Sequence, residues 1–384
     1  MRVFCRAMDE TKILIVGGGL VGCAVAATLS RKWQDVFLVE QYPKLGMATS
    51  SRNSGVIHSG IYYPKNSLKA KHCVAGNRLT KEFCARHNVA HRTTGKLVVA
   101  KDASEEPDLL ALVRNGEENG VEGLRLIDAR EIRAKEPHVL GYAALEVPST
   151  GICVAEQLLH AFARVAAGQG ANLVNHAKVI ALEPKKDTVE VRLRIGNDQA
   201  YQEETIAARC VVNAAGLYAD EVAKMLGPRP WTIYPVRGEY CEIRGPKAEW
   251  VCGLVYPLPH HDQLSLGVHF TKTLWGTVLL GPTATYVDGK DNYERGRLGI
   301  PEFAADAQTL LPEIRGEDLQ LGFTGLRPKL KAPGEKGVAD FVIEPDPEVP
   351  RVIHLIGIES PGLTAAVSIA GQVAEMVGKV NGRE

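Results

Sequence analysis

The chain has 384 residues, too many for one compact core and enough for two domains. It is 45% hydrophobic and 23% charged, as expected of a globular protein. Its 45 Lys and Arg balance 45 Asp and Glu, which leaves no overall field to hold nucleic acid or an anionic membrane. No apolar run reaches the length needed to span a bilayer. Eight cysteines show neither CxxC pairs nor metal-finger spacing, so no metal site is expected. Several sit in apolar helix or strand positions as small hydrophobes, and a reducing compartment such as the cytoplasm fits them. The leader Met1–Ala7 is too short for a signal peptide, and Met8 is a candidate start.

The first element is the most informative. Thr11–Val16 is a short apolar run that meets Gly17-Gly18-Gly19-Leu20-Val21-Gly22 and then the small, apolar Cys23–Leu29. This is the strand, glycine turn and helix that open a dinucleotide-binding unit. Gly17 makes the turn, Gly19 admits a pyrophosphate to the backbone, and Gly22 lets helix and strand pack closely. Phosphates then sit at a helix N-terminus, where free N–H groups and the dipole favour negative charge. A second strand, Asp35–Val39, ends at Glu40, about twenty residues on, where a carboxylate accepts from ribose hydroxyls and disfavours a 2′-phosphate.

Further along, Thr49–Tyr63 has no period and reads as a loop, and Ser67–His87 as a helix with one apolar face. Strands follow at Lys96–Ala100 and near Leu124–Ile127, with a polar helix between them near Glu105–Asn119. Gly151–Gly168 reads as a helix, and Ala171–Ala181 and Val189–Ile195 as strands. Arg209–Gly216 is a buried strand ending in a small-residue turn, where Gly216 offers backbone to a cofactor. From Trp231 onward, antiparallel strands are expected near Arg237–Ile243, Cys252–Tyr256, Leu264–Phe270 and Thr277–Leu280. Val352–Gly357 and Gly362–Gly378 return to strand, glycine turn and helix. The expected fold is therefore α/β. Residues 8–90, 145–230 and 325–384 form a discontinuous cofactor domain, and residues 91–144 and 231–324 a mostly antiparallel β substrate domain inserted into it.

The glycine motif, Glu40, Ser50–Gly60 (SSRNSGVIHSG) and Asn213–Gly216 together resemble the FAD-dependent D-amino acid oxidase superfamily. Gly55–Tyr63 (GVIHSGIYY), Ser67–Lys71, Gly95–Ala100, Val236–Tyr240, Leu254–Pro257, Leu266–Thr271 (LGVHFT) and Leu280–Pro282 are most similar to the L-2-hydroxyglutarate dehydrogenases and oxidases within it. Ser360-Pro361-Gly362-Leu363-Thr364 departs from the expected Ser-Pro-Ala-Ala-Thr. Gly325–Lys329 is also similar to FAD-dependent glycerol-3-phosphate dehydrogenases.

The resemblance implies a Rossmann-like FAD-binding domain of the glutathione-reductase type, D-amino acid oxidase subgroup. It also implies oxidation of a small 2-hydroxy acid, foremost L-2-hydroxyglutarate to 2-oxoglutarate. The alternatives are another flavin oxidoreductase of the superfamily, of glycerol-3-phosphate dehydrogenase or amino acid oxidase type, and a non-catalytic flavin-binding assembly factor. Flavin oxidation of an alcohol needs a base for the hydroxyl proton while hydride moves to flavin N5. Histidine suits that role because its pKa near ~6.5 leaves it largely neutral at pH 7. His58, in the loop the superfamily lays beside the flavin, and His269, on a strand of the inserted domain, are the two candidates. A resemblance to dimethylglycine dehydrogenase-like enzymes offers His58 a further role, as a covalent flavin attachment point.

Arg327 is the candidate clamp for the substrate carboxylate, since a guanidinium forks to it with two charge-assisted bonds. Tyr63, Arg237, Tyr240 and Lys329 are candidates for the distal carboxylate. Ser50, Ser51 and Arg52 are expected at flavin phosphate or ribityl groups, and Gly362, Leu363 and Thr364 at the N1/O2 side of the flavin. Oxygen, a quinone and an electron-transfer protein are all possible electron acceptors. A quinone implies contact with the inner face of the membrane.

Overall fold

The structure is a computed structural model that describes residues 10–197, 199–259 and 267–382. The leader Met1–Ala7 with Cys5, the candidate start Met8, and residues Leu264–Leu266 of one expected strand lie outside the described residues. No described helix is long and apolar enough to cross a membrane.

The first sheet is built outward from Glu10–Val16, which pairs in parallel with Val36–Val39 on one side and Ala200–Asn213 on the other. Asn172–Val174 extends the sheet beyond Val36–Val39. Val352–Ile356 joins the C-terminal end of Ala200–Asn213. Side chains alternate across such a strand. Ile13 and Ile15 therefore enter a core with the helices Leu20–Leu29, Ala155–Gly168 and Gly362–Val380, while Leu14 and Val16 face the opposite core. That opposite side is covered by the antiparallel strands Ala177–Pro184 and Val189–Asn197. The parallel strands end together at Val16, Val39 and Asn213, the edge at which an open α/β sheet binds its ligand.

The second sheet has nine strands. Leu97–Ala100, Arg125–Asp128 and Ala143–Glu146 come from the first half of the chain. Tyr234–Ile243, Leu254–Pro257, His269–Lys272, Val278–Gly281, Thr285–Tyr286 and Leu319–Lys329 supply the rest. Its pairings are antiparallel except where Leu254–Pro257 runs parallel to Leu97–Ala100. Residues 325–329, expected with the cofactor unit, belong to this sheet through the pairing of Leu319–Lys329 with Tyr234–Ile243. The boundary expected at 145 also falls inside its strand Ala143–Glu146.

Two local expectations are corrected. The helix expected from Gly151 begins at Ala155, because Gly151–Cys153 is a strand between Val56–Ile57 and His91–Thr93. The single strand expected over Ala171–Ala181 is two, broken at His176, whose φ of 55° turns the chain.

The helix Leu68–Arg86 is fixed at its start from two directions. Ser67 Oγ accepts from the Ala70 N–H at 3.1 Å, a side-chain cap. The carboxylate of Asp340 accepts from the Leu68 and Lys69 N–H groups at 2.6 and 2.9 Å. Lys69 is thereby placed at the mouth of the helix, facing the junction of the two sheets.

Candidate active site

The sheets enclose a cavity of about 610 Å³ that runs from the glycine turn to the second sheet. At its nucleotide end Gly17 has a φ of +106°, and a Cβ there would overlap the Ala214 carbonyl. A Cβ on Gly22 would overlap the Gly17 carbonyl, so strand and helix could not approach. Gly19 lines the cavity, as do Gly216, Ser50 and Arg52. These residues form a cradle that side chains would fill, and they fit a dinucleotide cofactor. Ser50 Oγ accepts from the Leu20 N–H at 2.8 Å and so fastens the loop to the first helix.

Glu40 is buried, and its carboxylate accepts from the Gly18 N–H at 2.7 Å and the Tyr42 N–H at 2.9 Å. It thus holds the glycine turn. Burial raises its pKa, and the backbone donors oppose that rise. Arg52 packs over the Tyr293 ring at 4.3 Å and donates to the Thr324 carbonyl at 3.3 Å. Ser51 does not line the cavity, and its hydroxyl lies 3.5 Å from the Ala48 carbonyl.

The far end is shared by Gly362 and Leu363, both on the wall, and by Thr364, which is not. Thr364 is fully buried and works as a tether. Its Oγ1 accepts from the His58 N–H at 2.9 Å and its carbonyl from Thr80 Oγ1 at 3.0 Å. The Gly362 N–H is turned back onto the Glu359 carbonyl at 2.5 Å.

His58 and His269 both face this cavity, although 211 positions separate them in the chain. His269 is 5% exposed, and its ring stacks on Tyr256 with centroids 3.6 Å apart. Its Nδ1 lies 2.8 Å from the Gly267 carbonyl. A carbonyl only accepts, so Nδ1 carries the proton and Nε2 keeps a lone pair. Burial first, and then the charges of Lys96 and Arg327, push its pKa down to about 3. His58 is lowered to about 3 by burial and by the positive charge of Lys96. Its Nδ1 is buried without a partner, and its Nε2 lies 3.4 Å from Ser360 Oγ. Both imidazoles are therefore neutral near pH 7, the form that accepts a proton.

Arg327 and Lys329 alternate on the Leu319–Lys329 strand, which sends both to the cavity. Arg327 Nη1 lies 3.3 Å from the Thr283 carbonyl. Tyr63 and Tyr240 also line the cavity, Tyr63 bonded to Ser360 and Tyr240 to Ser54.

Arg237 does not belong to the site. It is 1% exposed, pairs with Glu239 at 3.0 Å, and donates to the Arg295 and Gly296 carbonyls at 2.6 Å each. Its fork is committed to holding the strand Tyr234–Ile243 to residues 295–296.

Three groups are not evident from the sequence alone. Lys69 and Glu359 line the cavity as an ion pair of 2.9 Å. Lys96 stands just behind it, 2% exposed, with its Nζ 3.2 Å from the Tyr62 hydroxyl and within 4.8 Å of the Tyr256 ring centroid. Burial lowers the Lys96 pKa to about 7.

A family model described as "FAD dependent oxidoreductase" matches residues 12–376. The chain belongs to that family. It is also similar, over nearly its whole length, to L-2-hydroxyglutarate dehydrogenases. The mitochondrial protein of Arabidopsis thaliana is 33% identical, covering 96% of this chain and 83% of that protein. The human mitochondrial protein is 32% identical, with 95% and 88% covered. The Escherichia coli K12 protein is 30% identical, with 95% and 92% covered. Among solved structures, a dithionite-reduced L-alpha-glycerophosphate oxidase of Mycoplasma pneumoniae with FAD bound superposes with a TM-score of 0.86. It is 26% identical, and 97% of this chain and 95% of that one are covered. A glycine oxidase of Geobacillus kaustophilus, 21% identical, shares the fold with a TM-score of 0.79 over 97% of this chain and 95% of that one. The protein is thus an FAD-dependent oxidoreductase with the mixed α/β fold of this family.

Proposed function

We propose that the protein oxidises L-2-hydroxyglutarate to 2-oxoglutarate. The observation that carries this reading is the charge and chemistry of one cavity. Two neutral imidazoles share it with Lys69, Arg327 and Lys329, and with the Glu359 carboxylate that pairs with Lys69. Of the remaining charged wall residues, Arg52 is stacked on Tyr293 and Asp108 is exposed at the rim. Among the described residues that line it, cations outnumber carboxylates, a setting that suits a 2-hydroxydicarboxylate. The near full-length likeness to L-2-hydroxyglutarate dehydrogenases supports the same substrate.

FAD, when bound in the cradle of Gly17, Gly19, Gly22, Glu40, Ser50, Arg52 and Gly216, supplies a hydride acceptor. His269 takes the C2 hydroxyl proton on Nε2, because the Gly267 carbonyl fixes its proton on Nδ1. A bound dianion opposes the lysine and arginine charges that depress its pKa, so its basicity rises as the substrate enters. His58, anchored through its backbone by Thr364, lines the same space and orients the hydroxyl. Arg327 holds the carboxylate next to the reacting carbon with its planar fork. Lys329 and Lys69 receive the distal carboxylate, and Tyr63 and Tyr240 close the wall around them. The helices and apolar walls exclude water from the reacting carbon.

The test is an anaerobic titration of the FAD-loaded protein with L-2-hydroxyglutarate, followed by flavin absorbance, with the D-acid, glycerol-3-phosphate and glycine alongside. Bleaching by the L-acid alone is expected. Bleaching by another of these compounds, or by none, overturns the assignment. Air, a quinone analogue and an electron-transfer protein, added separately to the reduced enzyme, then identify the acceptor class.

A further inference from the structure

A buried cation, Lys96, stands behind the cavity wall and not on it. Its N–H donates to the Val147 carbonyl at 3.1 Å and its carbonyl accepts from the Val147 N–H at 2.8 Å, which fixes it at the start of the strand Leu97–Ala100. Leu254–Pro257 lies between that strand and His269–Lys272, and it carries Tyr256. The Lys96 Nζ donates to the Tyr62 hydroxyl at 3.2 Å. It also lies 4.3 Å from the Tyr62 ring centroid and 4.8 Å from that of Tyr256. Both tyrosines line the cavity. Tyr256 in turn stacks on His269, with 3.6 Å between centroids and 20° between planes. One aromatic ring therefore meets the ammonium and the imidazole together. Among the described residues Lys96 makes no ion pair, and its other near group is the Cys73 thiol, which burial keeps protonated. Desolvating an ammonium is costly, and an apolar side chain would fill the space beside the two rings without that cost. Packing alone gives this position no need of a charge.

We propose that Lys96 is a positioning residue for the proton-accepting step, which holds Tyr256 flat against His269 and keeps a positive charge behind the base. The inference rests on the reading of His269 as that base. Cation–π attraction is strongest where water is excluded, so the ammonium sets the tyrosine rings more firmly than an apolar neighbour would. The titratable and charged groups that act on the imidazole come from four directions. They are Lys96 at its strand start, Tyr256 on the neighbouring strand, Arg327 on Leu319–Lys329, and His58 in the segment after Val56–Ile57. Lys96 and Arg327 both oppose a proton on His269. Burial lowers the Lys96 pKa to about 7, so its charge is fully present only below that value, where a solvent proton would otherwise claim Nε2. Lys96 thereby keeps the lone pair open for the substrate hydroxyl. The same charge drives the captured proton off to water once the anionic product has gone.

The experiment uses Lys96→Met, a neutral side chain of similar length, in the FAD-loaded protein. Two readouts are compared with the parent. One is the acid limb of kcat/KM for anaerobic bleaching by L-2-hydroxyglutarate, which reports the base of the free enzyme. The other is the His269 imidazole resonance over the same pH range. In the variant both are expected to titrate at a proton concentration about tenfold or more lower. Lys96→Arg, which keeps a permanent cation over the rings, is expected to hold both where the parent has them. A limb and a resonance unmoved in Lys96→Met, or moved as far in Lys96→Arg, overturn the proposal. Should Lys96→Met fail to bind FAD, Lys96→Gln replaces it, since its amide can still donate to the Tyr62 hydroxyl. The same shift is expected there, and its absence overturns the proposal. If only one of the two readouts moves, His269 is not the base and the proposal falls with that reading. Failure of L-2-hydroxyglutarate to bleach the parent refutes the substrate reading alone, and the resonance then decides the role of Lys96.

Discussion

The burial of His269 makes a stability prediction that separates it from an ordinary surface histidine. In the unfolded chain its imidazole titrates near ~6.5, whereas in the folded protein burial holds its pKa at about 3. Between these values the unfolded state binds a proton that the folded state refuses. The site therefore contributes stability that is fully present above ~6.5 and is lost as the pH falls toward the folded value. Moving from pH 7 to pH 5 costs the folded state about 2 kcal/mol at this one residue. His269→Asn keeps a donor for the Gly267 carbonyl and removes the titrating nitrogen, so this share of the acid sensitivity disappears. For a chain of this size the thermal midpoint of the parent, measured with a fixed excess of FAD, should drop about 2–3 °C further than that of the variant over this interval. Imidazole resonances assigned by the same substitution should show His269 unprotonated from pH 8 down to pH 5. Titration of that resonance near ~6.5, or identical acid slopes for parent and variant, would refute the reasoning.

Other consequences follow from the same geometry. His269→Asn should also lower kcat by about 10²–10⁴-fold as the general base is lost, measured by the rate of anaerobic flavin bleaching. Arg327→Met removes a charge-assisted fork and should reduce kcat/KM by about 10-fold to 100-fold, chiefly through KM, in steady-state assays. Gly17→Ala should purify without flavin, because a Cβ there meets the Ala214 carbonyl at a φ of +106°; the ratio of flavin to protein absorbance checks this. Arg237→Ala takes one of two cations from the buried Glu239 carboxylate, which keeps Arg297 at 3.4 Å and the Leu298 N–H at 3.1 Å, and should destabilise the fold by about 1.5–3 kcal/mol, seen as a lowered thermal midpoint. An Arg237→Ala protein of parental stability but raised KM would return this residue to the substrate site.

The parts of the molecule written in local pattern were legible from the chain. The apolar strand Glu10–Val16, its glycine turn and the apolar helix behind it need only short-range rules, and they stand where the residues imply. His58, His269 and Arg327 were legible through motif resemblance, and the fold brings them to one cavity. Arg237 was misjudged because alternation along a strand says which face a residue takes but not what else is on it. Glu239, two residues on and on the same face, claims the guanidinium first. The Lys69–Glu359 pair was invisible for a different reason. Its members lie 290 positions apart, and only the packing of the first long helix against the last brings them together. Ser51 and Thr364 sat within recognised segments, yet side-chain direction in a tight turn and at a helix start is decided by local geometry that a motif does not carry.

The loop from Thr49 to Gly55, on the cavity wall, is held to backbone atoms of the second sheet. Thr49 Oγ1 donates to the Leu326 carbonyl at 2.8 Å, Arg52 Nη1 to the Thr324 carbonyl at 3.3 Å, and a Cβ on Gly325 would run into the Arg52 carbonyl. The strand that presents Arg327 and Lys329 to the cavity is thus gripped along its main chain, on atoms every amino acid possesses. Changes to its cavity-facing side chains leave the grip on the loop untouched. Apart from Gly325, the cavity side of this strand is therefore free to vary in evolution without loosening the loop that borders the cofactor cradle.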